Sequence, residues 1–319
     1  MRLSVLTNLQ AGRSNARLLR VQAFLKGYPD ILHVETDSRD HVPQALAMLA
    51  KQEVDILAVN GGDGTLQHVL TEILGNHALP RLPLIAPLRG GRTNMNALDI
   101  GSHRDPVAAL STLSAAARNG VPPERIVERP VLRVDFGPGH NTQYGLFFGG
   151  GVFHRTIEFK HNTLPKRHFQ GLLGAAAFTG TLLTRAALGS VSGLLTPDSV
   201  EIQLDDQSVE QGKFLLVMAT SLERLLFHLF PFWGQESAPV RFTAIAASAP
   251  RSLSATLRVL RGRPPFTGTA VPGYLSRNAR HVELRLDCGI LVDGEPFPPA
   301  PGRVVRIEAD QRLRFVRTN

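Results

Sequence analysis

The stretch from Val54 to Leu70 constrains the fold of this chain more than any other. Val54-Asp55-Ile56-Leu57-Ala58-Val59-Asn60 is mostly apolar with β-branched enrichment, the pattern of a strand buried on both faces of a parallel sheet. Leu66, Val69, Leu70, Ile73 and Leu74 recur at helical spacing and share one side. Between strand and helix lies Gly61-Gly62-Asp63-Gly64-Thr65. Strand, glycine turn and helix start together make half of a parallel β-α-β unit. Glycines let backbone N–H groups approach a ligand closely, and a helix N-terminus adds positive potential, so the turn suits a phosphate. A tight turn without a ligand would need the same glycines. The full five-residue string, however, is expected by chance in roughly one chain in a few thousand of this length at average residue usage.

The same alternation runs through the first third of the chain. A first strand spans Met1 to Asn8, a helix about Ser14 to Lys26, with Ser14 as N-cap, a second strand Ile31 to Thr36 and a helix Val42 to Lys51. A strand at Leu82 to Pro87 leads into a second glycine turn, Arg89-Gly90-Gly91-Arg92-Thr93-Asn94. Alternation up to Asn119 predicts a doubly wound parallel sheet. Val121-Pro122-Pro123-Glu124 marks a boundary, placing one domain at 1–123 and another at 124–319. In the second, short strands near 125–136, 142–148, 200–204, 214–218, 240–245 and 282–286 are punctuated by Gly and Pro. They predict an antiparallel, β-rich domain with one inserted helix at Phe169 to Leu188.

Neither glycine turn is a Walker loop, because no Lys-Ser or Lys-Thr follows, and neither has the Gly-x-Gly-x-x-Gly spacing of a dinucleotide fold. Gly61-Gly62-Asp63-Gly64-Thr65 resembles the nucleotide-binding signature shared by diacylglycerol kinases, sphingosine kinases, bacterial lipid kinases, NAD kinases and, more distantly, 6-phosphofructokinases. The closest resemblance is to the diacylglycerol kinase catalytic-domain family, of which the chain looks like a divergent member. Asn8, Gly12 and Arg13 match that family's Asn-Pro-x-Ser-Gly motif, with Leu9 for Pro and Ala11 for Ser. Pro87, Gly91, Asn94, Ala97 and Gly101 fall in register with its second motif, Pro-x-Gly-Thr-x-Asn-Asp-x-Ala. Arg92 replaces its Thr, Met95 its Asp, and one residue is inserted near Arg89. Asp293-Gly294-Glu295 matches the terminal Asp-Gly-Glu motif; alone, it would read as a hairpin turn.

The resemblance implies an α/β nucleotide-binding domain followed by a β-rich lipid-substrate domain whose last strand packs back on the first, with the active site in the cleft. It implies ATP and Mg²⁺, and transfer of the γ-phosphate to a hydroxyl of diacylglycerol or a related lipid. Gly61, Gly62, Gly64 and Thr65 are expected to hold ATP phosphates, with Asn8 and Arg13 beside them. Gly91, Thr93 and Asn94 line the nucleotide. Asp63 positions Mg²⁺ or orders its turn. Asp293 takes the hydroxyl proton and Glu295 supports it or the metal, because a kinase acting on an alcohol needs a carboxylate to receive that proton. Two other readings share the signature. One is a nucleotide-binding protein that has lost catalysis, motivated by Met95 and by the missing Asp-Gly that holds a structural metal in bacterial lipid kinases. The other is an NAD kinase-like enzyme with a soluble acceptor, although no Gly-Ser-Thr-Ala-Tyr segment or Asn-Glu pair is found.

Charge and composition bear on partners. The net charge of +8 suits anionic headgroups, polyphosphate or nucleic acid, and a solvated basic surface equally well. No basic-aromatic motif supports nucleic acid. With one cysteine, Cys288, no intrachain disulfide forms. The first strand lacks the apolar core of a signal peptide, and the most apolar run, Gly171 to Thr196, contains Arg185 and reads as a helix of the second domain. A cytoplasmic protein acting peripherally on the inner membrane face is expected. The cluster Phe227, Phe230, Phe232 and Trp233, in a chain with 6% aromatics, suits either a lipid-facing wall or a core. The choice of acceptor and the oligomeric state are not encoded in any motif.

Overall fold

The computed structural model describes residues 1–12, 15–163, 193–250, 252–266 and 271–319, the side chains of 15 and 159–163 excepted. These divide into two compact units, Met1–Val131 with Gln143–Gly145 and Gln311–Asn319, and Leu132–Thr142 with Leu146–Asp310.

The first unit opens with β1 (Leu3–Asn8), α1 (Asn15–Lys26), β2 (Leu32–Thr36) and α2 (Val42–Ala50). β3 (Ile56–Gly61), α3 (Asp63–Gly75), β4 (Leu84–Arg89), α4 (Met95–Ile100) and α5 (Pro106–Asn119) follow. The strand order is β2-β1-β3-β4, all parallel, and the end of the last strand joins β4 through the Phe315–Ile85 pairing. Alternation along the strands explains the two buried faces. Leu3, Val5, Ile56 and Ala58 pack with Val21 of α1 and Leu110 of α5, while Leu6, Leu57 and Val59 are buried on the opposite face. α2 and α3 contact each other, α2 contacts β2, and α3 contacts β3. The doubly wound reading holds. β4 runs on through Pro87 to Arg89, two residues past its expected end.

The second unit takes its strands from β5 (Ile126–Asp135), β6 (Gln143–Gly145) and β7 (Phe147–Gly151), followed by α6 (Val152–Thr163), β8 (Asp198–Leu204), β9 (Glu210–Thr220) and β10 (Val240–Ala246). Then come α7 (Leu253–Leu260), β11 (Tyr274–Ala279), β12 (His281–Leu286), β13 (Ile290–Val292), β14 (Glu295–Phe297) and β15 (Arg303–Val316). β5 and β15 contribute residues to both units, and β6 belongs to the first. Within the second unit the pairings β14-β13-β7-β9-β8-β12-β15 are antiparallel, and β10 pairs both β9 and β11. One apolar cluster, including Phe148, Val217, Phe242, Leu284 and Ile307, fills its interior. The β-rich expectation holds. The single inserted helix is corrected: α6 and α7 are both present, and the helix expected at Phe169–Leu188 lies outside the described residues.

Candidate active site

In the first unit, the connections from β1 run to β2 on one side, and the chain then returns to β3 on the other. The carboxyl ends of β1 and β3 therefore form a topological switch point, where open α/β sheets leave a crevice for ligands. Asn8 ends β1, and Gly61-Gly62 ends β3. Asn8 Nδ2 donates to Thr65 Oγ1 at 2.8 Å, while Asn8 Oδ1 accepts from Gln10 N at 2.9 Å, so this side chain ties the first turn to the start of α3. Thr65 is buried and folds over Gly61, where a Cβ would meet the Thr65 Cβ at 2.5 Å.

The second glycine turn packs on the first. Arg89 at the end of β4 is in register with Gly61. A Cβ on Gly91 would lie 2.3 Å from Gly62 Cα, so the two turns touch backbone to backbone. Gly12 approaches the same place, with a Cβ position 2.4 Å from Gly90 O. Three turns thus meet through glycines, leaving peptide groups as the local surface, a cradle that suits an anion.

Asp63 joins the two motifs directly. Its Oδ1 accepts from Asn96 N at 2.9 Å and its Oδ2 from Met95 N at 3.1 Å, capping the first turn of α4 from a distance of more than thirty residues. Burial pushes the Asp63 carboxyl above its ordinary value, against the backbone N–H groups of Asn96, Met95 and Asn94, which favour the ionised form. Asn94 adopts the left-handed conformation, φ +54°. Its Oδ1 accepts from Gly91 N at 2.7 Å and its Nδ2 donates to Gly91 O at 3.0 Å, closing the loop on itself. Thr93 and Arg92 are exposed. α4 is also tied by Asp99, whose Oδ2 accepts from Arg129 Nε at 3.1 Å, a pair with almost no exposure.

Arg89 Nε is buried and has no partner, and burial followed by the neighbouring Arg104 charge lowers the Arg89 guanidinium from its ordinary value. Two neighbouring cations at the carboxyl edge of the sheet favour an anion there. Sequence reasoning assigned no role to Arg104, which follows the turn after α4. It also passed over Asn96, 1% exposed with both amide atoms unpartnered. Arg13 lies outside the described residues. Among the described residues no group of three His, Cys, Asp or Glu is placed to hold a metal. The Asp63 oxygens already accept backbone N–H groups, so the chain fits a Mg²⁺ carried by phosphates and water better than an all-protein cage.

In the second unit, Asp293 and Gly294 turn the β13–β14 hairpin, with φ +47° and +88°. Asp293 is 2% exposed. Its Oδ2 accepts from Leu146 N at 2.9 Å and its Oδ1 from Phe147 N at 3.1 Å, while its own N donates to Phe147 O at 2.9 Å. This carboxylate holds the strand entry at Leu146–Phe147. Glu295 pairs with Val292 in the hairpin and is half-buried. The two carboxylates do not sit along one strand, because the turn falls between them.

Residues 2–121 match the sequence profile of the diacylglycerol kinase catalytic domain. The fold is similar to that of solved structures. A diacylglycerol kinase from Bacillus anthracis str. Sterne superimposes with a TM-score of 0.62 at 15% identity, covering 99% of this chain and 96% of that one. An NAD kinase from Archaeoglobus fulgidus, crystallised in complex with ATP, gives 0.50 at 13% identity, covering 100% and 94%. Comparison with curated proteins found no match. Among the described residues no helix is long and apolar enough to cross a membrane.

Proposed function

We propose that the protein is an ATP-dependent kinase that phosphorylates a hydroxyl of diacylglycerol or a related lipid. The observation that carries this reading is the convergence of three glycine turns at the switch point of a kinase-family sheet, with Gly91 against Gly62 and Thr65 held by Asn8. The peptide groups of Gly61, Gly62, Gly64 and Gly91 and the Thr65 hydroxyl bind the phosphates, and Thr93 and Asn94 border the nucleotide. Arg89 adds charge to the same edge. ATP supplies the γ-phosphoryl group, and Mg²⁺ offsets the charge that develops on it. Asp63 would hold a bound Mg²⁺ through its water shell, and it keeps α4 in place. Asp293 accepts the acceptor hydroxyl's proton as the new O–P bond forms and the bond to the ADP oxygen breaks, with Glu295 in support.

The test is transfer of labelled phosphate from ATP by the purified chain to a panel of lipid alcohols in detergent micelles, with NAD as the soluble comparator. Transfer to NAD alone would replace the lipid reading. Asp293→Asn should lower turnover about a hundredfold to ten-thousandfold with ATP affinity kept. A second reading, ATP binding without turnover, is favoured by one observation: both oxygens of Asp293 are engaged by backbone amides. In that case Asp293→Asn lowers thermal stability, since its –NH₂ would face an N–H, and no acceptor in the panel is phosphorylated.

A further inference from the structure

We infer that α7 and residues 261–266 after it form a docking surface for an anionic phospholipid bilayer. α7 carries two apolar stripes. Ala255 and Val259 face the interior, 0% and 4% exposed, and account for its packing. Leu253 and Leu257, also four residues apart, point outward at 64% and 42% exposure. A helix held only by its inner stripe has no folding reason for leucines on the other. The chain then folds back: Arg263 N donates to Arg258 O at 3.0 Å and Arg258 Nε to Pro264 O at 2.8 Å. Two residues beyond that tether, Phe266 is 37% exposed.

The charge around these residues selects the occupant. From Ser252 to Phe266 the chain carries Arg258, Arg261 and Arg263 and no acidic residue. Arg261 and Arg263 are exposed, and neither forms an ion pair among the described residues. Exposed leucines and a phenylalanine framed by unpaired guanidiniums are the composition of an interfacial helix, with alkyl groups entering the acyl boundary and cations at the headgroups. A second copy of the chain would bring arginines against arginines. Nucleic acid would leave the leucines without a role, since stacking needs aromatic faces. The surface serves the lipid-acceptor reading, and its function rests on that reading.

The experiment is sedimentation of the full chain with phosphatidylglycerol/phosphatidylcholine vesicles and with phosphatidylcholine vesicles alone. Wild type should prefer the anionic vesicles. L253S/L257S should partition at least about tenfold less, and R261Q/R263Q should lose roughly fivefold per arginine on anionic vesicles only. These side chains project outward, so thermal unfolding should be unchanged. L253W keeps the proposal testable if the serine variant fails to fold: its emission should shift to the blue with anionic vesicles beyond the change shown by Trp233. Wild-type-like partitioning of L253S/L257S, no shift in L253W, or equal binding to neutral vesicles would overturn it. So would a change in self-association or RNA retention in place of vesicle binding. Phosphoryl transfer to a short-chain, water-dispersed lipid separates the two readings. If no lipid is phosphorylated yet vesicle binding follows these variants, the acceptor assignment falls and the surface stands.

Discussion

Asp63 shows how one carboxylate can be read correctly from sequence and still be doing something the sequence hides. Its place between glycines marks a phosphate turn, but its oxygens are spent on the amides of Met95 and Asn96, the first turn of another helix. Asp63→Ala should therefore weaken folding as well as activity, by about 1–3 kcal/mol, because two buried donors lose their acceptor. Asp63→Asn keeps one acceptor and should cost less in stability while still losing activity. Denaturant unfolding alongside ATP affinity measures both. An Asp63→Ala protein as stable as wild type would remove the capping role. The glycine string was legible because it is local. Asp293 was legible as a residue, but its partners Leu146 and Phe147 lie 147 and 146 positions away, and no periodicity reports such a bond.

The element whose position matters most is α4, six residues long and too short to hold its place through its own hydrogen bonds. It is fixed by Asp63 at its start, by the buried Asp99–Arg129 pair along its side, and by Thr318 N and Asn319 N donating to Gly101 O at its end. Removing one member of a buried pair leaves the other charge uncompensated. Arg129→Ala should cost about 3–5 kcal/mol, and Asp99→Leu/Arg129→Met together should recover much of that. Chemical unfolding of the three variants checks the coupling; additive losses would show that the pair does not act as a unit. The helix was only partly legible. Its glycine entry was visible, but the left-handed turn at Asn94 and all three tethers depend on distant chain. α7, by contrast, was overlooked despite a local signal: Ser252 before Leu253, Leu257 and Leu260 at helical spacing, with Ser252 Oγ accepting from Ala255 N at 3.1 Å.

Across the whole molecule, the half-buried His33 and the buried His154 contribute to the acid side of stability. Burial holds His33 and His154 below the usual 6.5, with Glu35 and Glu158 opposing it. Their folded-state values are lowered, so the unfolded chain takes up protons first. The stability they contribute is complete above pH 6.5 and is lost as pH falls through the window below it. The thermal midpoint should drop as pH falls below 6.5, and His33→Gln/His154→Gln should flatten that slope. An unchanged slope in the double variant would assign it to other groups. The division into units carries a different consequence. The first unit is built from residues 1–131, 143–145 and 311–319, so its sheet is not complete when its first 131 residues leave the ribosome. At ordinary elongation rates, residues 132–310 take roughly 10–40 s to synthesise. Through that interval the glycine turns wait with the Phe315 edge of β4 open, so the part of the chain translated first is among the last to be finished.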